Sequence, residues 1–248
     1  MNLRLGIDLG GSAIKAGVVD TVSGSLVSEL ISVATPSGAS LADCCSELAR
    51  LKQRFPEAHG AVGVALPTVI KSGVACTAAN IGSEWLGAPI QRLINGALGC
   101  ESVLLNDGDA AGLAEIALGA GRGVAGTTLV LTFGTGIGSA LFSDGHLMPN
   151  TELGRLMLAS EDAEAFASAR TRSREGLDWS TWALRVNHVL ARYQALFWPD
   201  LFIIGGGVSE HWELFGQLLS SPARIVPARF RQSAGVVGAA MAAAAKKS

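Results

Sequence analysis

Three glycine-rich turns and one acid at the end of a strand are where this chain carries residues fit for chemistry. In Leu104-Leu-Asn-Asp-Gly-Asp-Ala-Ala-Gly112 an apolar run (Val103 to Leu105) leads into Asn106-Asp107, and a stretch rich in Ala and Leu follows. A carboxylate at a strand end sits at a fixed point. That suits a general base taking a proton from a bound hydroxyl, with the amide of Asn106 beside it. The other reading is that Asp107 or Asp109 only caps the following helix. Asp8-Leu-Gly-Gly-Ser12 and Gly134-Thr-Gly-Ile-Gly138 each lie between two apolar runs. Turns of this kind leave backbone N–H groups to grip phosphate oxygens, so Gly10, Gly11, Ser12, Gly134, Thr135 and Gly136 are candidates. Lys15 would add a charge, and Asp8 could hold Mg²⁺ directly or through water. The alternative is an ordinary hairpin with a buried acid. Gly205-Gly-Gly-Val-Ser209 follows a further apolar run. Gly205, Gly206 and Gly207 would let a nucleotide base or ribose lie against the backbone. The spacing is not G-x-G-x-x-G, so the dinucleotide fingerprint fails.

A second set of residues fits a sugar. Thr77-Ala-Ala-Asn-Ile-Gly-Ser-Glu-Trp85 combines polar groups with an aromatic ring. Asn80 would bond hydroxyls while the ring covers a C–H face; equally, Trp85 plugs the core below a surface loop. Glu152 could accept two hydrogen bonds from sugar hydroxyls, or pair with Arg155 at i,i+3. Arg170, Arg172 and Arg174 could form a track for a polyanion, or simply a solvated helix face. Cys44, Cys45, Cys76 and Cys100 show no C-x-x-C and read as small buried apolar residues in a reducing compartment. The four histidines are scattered. No H-E-x-x-H, P-loop, G-x-S-x-G or EF-hand pattern occurs.

These residues need a scaffold of strands and tight loops, and the composition supplies one. The 248 residues are 49% apolar, enough for one large domain or two small ones with a cleft between them. Glycine numbers 31 against an average usage of about 7%, and it clusters between apolar runs. A net charge of −2 removes any global attraction to nucleic acid or to an anionic membrane. The longest weakly polar run, 235–245, is too short to span a bilayer. The chain enters a strand pattern at once, with no signal peptide, which implies the cytoplasm.

Strands are expected at Leu3–Leu9, 13–19, 26–33, 60–66, 103–105, Thr127–Phe133, 139–142 and 201–204, with a hairpin over 69–76 turning at Lys71-Ser-Gly73. Helices are expected over 40–55, from Pro89 with Ile90, Leu93, Ile94 and Ala97 on one face, after Asp107, and over 233–245. Trp179, Trp182, Val186, Val189, Leu190, Tyr193 and Phe197 recur at helical spacing and read as core. Residues 119–123 read as a mobile connector. Strand, glycine turn, strand occurs twice, so the halves look like an internal duplication. Asp144-Gly145 makes a second hairpin turn.

Together the motifs resemble a known family. Asp8-Leu-Gly-Gly-Ser-Ala-Ile-Lys15, Asn106-Asp107, Leu131-Thr-Phe-Gly-Thr-Gly-Ile-Gly138 and Ile203-Ile-Gly-Gly-Gly-Val-Ser209 look like the ROK sugar kinases of the actin-like ATPase superfamily. Thr77-Ala-Ala-Asn80, Pro149-Asn-Thr-Glu-Leu-Gly154, Ala167-Ser-Ala-Arg170 and the run 196–207 resemble the bacterial polyphosphate/ATP glucokinases among them. The resemblance implies an α/β fold of two ribonuclease-H-like domains with mixed sheets around a central cleft. The expected division is 1–109 plus the helix 233–248, and 110–232. It implies transfer of a terminal phosphoryl group from ATP or polyphosphate, with Mg²⁺, to the 6-hydroxyl of glucose. Asp107 would be the base; Asn80, Asn106, Glu152 and Arg155 would bind sugar, and the three glycine turns would hold phosphates and nucleoside. Members are usually cytoplasmic homodimers. Three departures stand out. Arg155 replaces the family's histidine, Thr68 its glycine after proline, and Met157 an acid. The cysteine-rich zinc motif is absent, so no zinc site is expected. Two other readings are an ATP-only kinase for another hexose and a catalytically weakened sugar sensor.

Overall fold

The structure, a computed structural model, describes residues 2–78 and 81–246. It divides into two compact units, Met1–Ala114 with Ser233–Ser248, and Glu115–Gln232.

The first unit is built on a six-stranded sheet. β1 (Leu3–Leu9) and β2 (Ala13–Asp20) form an antiparallel pair over their full length. The third strand expected from the sequence is two short ones, β3 (Ser25–Leu26) and β4 (Ile31–Ala34), both paired to β2. The intervening Ser28 leaves the ladder and its Oγ accepts the Val18 N–H at 2.9 Å, which breaks the strand. α1 (Leu41–Gln53) starts at Ser40, whose side chain accepts the Asp43 N–H. This satisfies one of the orphan donors of the first turn. β5 (Val62–Leu66) is buried throughout and pairs parallel to β1. β6 (Ile70–Lys71) and β7 (Val74–Ala75) form the expected hairpin, with Ser72 and Gly73 both at positive φ. α2 (Ile90–Leu98) buries Ile90, Ile94 and Leu98, whereas Leu93 is exposed, so the apolar face follows i, i+4, i+8. β8 (Ser102–Asn106) pairs parallel to β5, and α3 (Asp107–Leu118) begins at once. The sheet order is β3-β2-β1-β5-β8.

The second unit repeats this plan. β9 (Thr127–Phe133) and β10 (Ile137–Ser143) are antiparallel, and β11 (His146–Met148) adds to β10 through the turn Asp144-Gly145. The helices α4 (Ala163–Ala167), α5 (Ala169–Arg174) and α6 (Trp179–Phe197) follow. Then β12 (Leu201–Gly205) pairs parallel to β9, α7 (Trp212–Phe215) intervenes, and β13 (Arg224–Pro227) pairs parallel to β12. The order β11-β10-β9-β12-β13 matches the first sheet strand for strand in direction. Its core joins Leu129, Leu131 and Phe133 to Trp182, Val186, Tyr193 and Phe215.

Residues 119–123 are held by Glu115 rather than forming a mobile connector. The fully buried Glu115 carboxylate accepts the N–H groups of Ala120, Arg229 and Phe230 at 2.9, 3.0 and 2.7 Å. α8 (Ala234–Ala245) returns to the first unit and packs on β1 and β5. Its approach needs glycine: a Cβ on Gly6 would overlap the Val236 carbonyl oxygen, and one on Gly63 that of Ala239. Of the cysteines, Cys44 is buried and its thiol is pushed up to about 11, mainly by burial, while Cys76 is exposed rather than buried.

Candidate active site

In the first unit the candidate residues gather at the carboxyl ends of three parallel strands, β1, β5 and β8. That edge is where open α/β sheets place their ligands. Asp8 lies opposite Lys15 in the β1–β2 register. It keeps some solvent contact, but the packing around it desolvates the carboxyl. Burial pushes its pKa up to about 6, against the opposing charge of Lys15. A Cβ on Gly235 of α8 would come 2.6 Å from the Asp8 carboxyl carbon. Only glycine leaves that side of the carboxylate open.

The first glycine turn follows Asp8. The Gly10 N–H closes on the Ala13 carbonyl at 2.9 Å, and the Thr35 hydroxyl holds the Gly10 carbonyl at 2.6 Å. Gly11 and Ser12 face a cavity of about 340 Å³, shared with Thr35, Pro36, Gly38 and Ile81. Asn80 lies outside the described residues. Trp85 has no exposed surface, and its Nε1–H donates to the Ala39 carbonyl at 2.9 Å. It is therefore a core plug and presents no face to a sugar.

Two strands along from Asp8, roughly 10 Å by strand spacing, β8 ends in Asn106 and α3 begins with Asp107. Asn106 is buried. Its Oδ1 accepts the N–H groups of Gly108 at 2.9 Å and Asp109 at 3.3 Å, and its Nδ2 donates to the Thr68 carbonyl at 3.3 Å. The amide thus caps α3, which leaves Asp107 as the helix's first residue. One Asp107 oxygen takes the Gly108 N–H at 2.8 Å, and the side chain is half-buried. Asn106 thus supplies a cap to α3, beside the Asp107 oxygen on the Gly108 N–H.

In the second unit the other candidates gather at the carboxyl ends of β9 and β12. In the second glycine turn the Gly134 N–H donates to the Gly136 carbonyl at 2.9 Å, and the Arg170 N–H holds the Gly134 carbonyl at 3.1 Å. Thr135 lies between these two glycines. Gly206 has φ 80° and ψ −177°, and a Cβ there would overlap the Phe133 carbonyl oxygen. The Gly205–Gly207 run is therefore pressed against the start of the Gly134 turn, so two motifs far apart in sequence meet. Glu152 precedes a short 3₁₀ turn, Leu153–Arg155. That turn is pinned by Ser139 Oγ, which accepts the Leu153 N–H at 3.0 Å, and by the Tyr193 hydroxyl, which donates to the Leu153 carbonyl at 2.7 Å. Arg155 pairs with Asp162 at 3.2 Å.

Sequence reasoning missed Glu164. Its Oε2 accepts the Ile137 N–H at 3.1 Å and its carboxylate packs on Gly136. An acid in the first turn of an ordinary short helix carries no local signal; only the tertiary contact reveals it. The arginine run is largely committed. Arg172 stacks on Trp179, 3.6 Å from the ring centroid, and Arg174 pairs with Glu175 at 2.9 Å. Among the described residues no group of three or more His, Cys, Asp and Glu forms, and no helix is long and apolar enough to cross a membrane.

Comparison with known proteins gives the family and the fold. A model of the ROK family matches residues 4–165. The chain is 42% identical over 241 residues to a polyphosphate glucokinase of Mycobacterium tuberculosis, covering 97% of this chain and 91% of that one. It superposes on the crystal structure of an inorganic polyphosphate/ATP-glucomannokinase from Arthrobacter sp. strain KM with a TM-score of 0.95, at 43% identity and 98% coverage of both chains. A ROK family glucokinase from Streptomyces griseus, at 24% identity and covering 96% of this chain and 98% of that one, gives a TM-score of 0.85 and shares the fold. The paired mixed sheets are the actin-like ATPase fold of these kinases. With a family model over most of its length and a relative at this identity across nearly all of it, the chain belongs to the ROK family.

Proposed function

We propose that this protein is a sugar kinase that moves the terminal phosphoryl group of polyphosphate or ATP to the 6-hydroxyl of glucose. The observation that carries the proposal is likeness along nearly the whole chain to proteins named polyphosphate glucokinase and polyphosphate/ATP-glucomannokinase. Phosphoryl transfer has a loose transition state, so the protein mainly positions groups and neutralises charge. Asp107 is the proposed base. Its strand-end position, with the Gly108 N–H on one oxygen, holds a carboxylate at a fixed point for taking the hydroxyl proton. Glu152 and Asn80 are proposed to bind sugar hydroxyls, and Asn106 to fix Asp107 from the helix cap. Gly10–Ser12 and Gly134–Gly136 are proposed to hold phosphates, with Gly205–Gly207 beside the nucleoside. Asp8 fits Mg²⁺: it is a single desolvated carboxylate next to the first turn, and Mg²⁺ commonly keeps several waters and takes one or two carboxylates plus substrate phosphates. When bound, the ion neutralises charge on the transferred group.

Arg155 already has an anionic partner in Asp162. This favours a neutral hexose over an acceptor carrying its own charge. A cytoplasmic homodimer is part of the proposal, to be checked by sedimentation.

The test is glucose 6-phosphate formation with Mg²⁺ and either donor, for wild type and Asp107→Asn. Wild-type turnover that falls on the order of 10²-fold or more in kcat in the variant, at unchanged Tm, is the expected result. Absence of turnover with both donors overturns the glucokinase reading.

A further inference from the structure

One peptide unit of the second glycine turn is bonded at both poles. Between Gly136 and Ile137 the carbonyl oxygen accepts the Gly134 N–H at 2.9 Å, and the N–H donates to Glu164 Oε2 at 3.1 Å. The carbonyl and N–H of a planar trans peptide point opposite ways, so bonds at both ends fix its plane. The Gly134 carbonyl is fixed from outside the turn, by the Arg170 N–H at 3.1 Å. Glu164 therefore holds one arm of the turn with a side chain, and Arg170 holds the other with its backbone.

Both residues stand on one bracket. α4 and α5 meet at Ser168, whose N–H donates to the Glu164 carbonyl at 3.0 Å and whose Oγ accepts the Thr171 N–H at 3.2 Å. The Thr171 hydroxyl reaches back to the Ala165 carbonyl at 2.9 Å. Ser168 and Thr171 are both buried. The carboxylate on this base fits the turn closely: a Cβ on Gly136 would overlap Glu164 Oε2. A carboxylate is an unexpected neighbour for a turn read as holding phosphates, because like charges repel. Its bond to the Ile137 N–H gives the reason. A charged acceptor holds an N–H roughly twice as strongly as a neutral one, and the stiffer turn offsets the repulsion.

We propose that Glu164 is a positioning residue for the phosphoryl donor, holding the 136–137 peptide so that the Gly134–Gly136 turn keeps the shape that grips phosphate. The inference rests on the kinase reading of that turn. It concerns the donor, because the turn that follows Glu152 is pinned separately, by Ser139 and Tyr193. Small misplacements of groups that hold a substrate are costly.

The experiment compares wild type with Glu164→Ala, Glu164→Asp and Glu164→Gln. It measures kcat, the KM of glucose, ATP and polyphosphate with Mg²⁺, and binding of each donor by calorimetry without glucose. Glu164→Ala is expected to raise the KM and Kd of the donor roughly tenfold, with the glucose KM held within about twofold. Glu164→Asp is one methylene too short to reach the Ile137 N–H in place. It is expected to follow the alanine variant, and it carries the test if Glu164→Ala does not fold. Glu164→Gln keeps an acceptor oxygen and drops the charge, so its donor KM is expected at or below the wild-type value. Donor KM within about twofold of wild type in both the alanine and aspartate variants overturns the inference. So does an equal rise for glucose and donor, or a glutamine variant as poor as the alanine one. If any of these is seen while wild type turns over, the inference fails alone. If wild type binds neither donor, the kinase reading falls and takes the inference with it.

Discussion

A carboxyl that is desolvated in the folded chain and solvated in the unfolded one ties stability to pH, and Asp8 has the sign of an acid that folding discharges. Its ordinary pKa is 3.8 and its folded value about 6. Below 3.8 both states are neutral there. As pH rises toward 6 the unfolded chain releases its proton first, so folding loses stability, and above about 6 the penalty is complete. The shift corresponds to roughly 3 kcal/mol. We therefore expect Asp8→Asn to raise Tm at pH 7.5 in metal-free buffer and to flatten the fall in stability between pH 4 and 6. Calorimetry across that range checks it. The same variant should lose activity if Asp8 holds Mg²⁺. Gain of stability with loss of turnover would mark a group kept for chemistry. Asp107 differs in kind. It sits half-buried at the head of α3, and Asp107→Asn should act on kcat without moving Tm.

At the scale of elements, two devices hold the second unit's loops. Glu115 joins the end of α3 to the 119–121 turn and to the backbone of 229–230 through three N–H groups. Glu115→Ala leaves those donors buried without an acceptor, at about 1–3 kcal/mol each, so a loss of about 3 kcal/mol or more is expected in urea denaturation. Glu115→Gln keeps one acceptor oxygen and should lose less. Trp198 ends α6 in the left-handed region, φ 47° and ψ 53°, with 77% of its surface exposed. A bulky side chain there is strained, and its exposure returns little packing. Trp198→Asn is expected to stabilise by about 1 kcal/mol, seen as a Tm rise of roughly 2–4 °C. An unchanged or lower Tm would mean that the ring packs more usefully than its exposure indicates.

At the scale of the whole molecule, the C-terminal helix completes a unit begun at the N-terminus. α8 buries Val236, Val237, Ala239, Ala240 and Ala243 almost completely. Those side chains contribute roughly 5 kcal/mol of apolar burial, comparable with the net stability of about 5–15 kcal/mol that domains possess. Deleting 234–248 should therefore leave β1 and β5 uncovered and the chain insoluble or unprotected from hydrogen exchange. A soluble, protected truncation would refute this. The two sheets share one strand order, so the repeat of strand, glycine turn and strand extends from sequence to topology.

What the sequence determined by itself was local and additive. Apolar runs marked β1, β2, β5, β8, β9 and β12. Lys71-Ser-Gly73 and Asp144-Gly145 marked their turns, and the ordered motifs resembled the ROK family. These signals sit within a few residues of what they specify. Tertiary structure decided whatever depended on a distant partner. Trp85 went to the core because the Ala39 carbonyl met its indole N–H. Asn106 capped α3 while its amide also reached Thr68. Residues 119–123 were pinned because Glu115 faced them, and Glu164 met Gly136 across 28 positions of chain. Hydrogen bonds and steric fits of this kind are made by groups that only the folded sheets bring within 3 Å of each other, so no periodicity in the chain announces them.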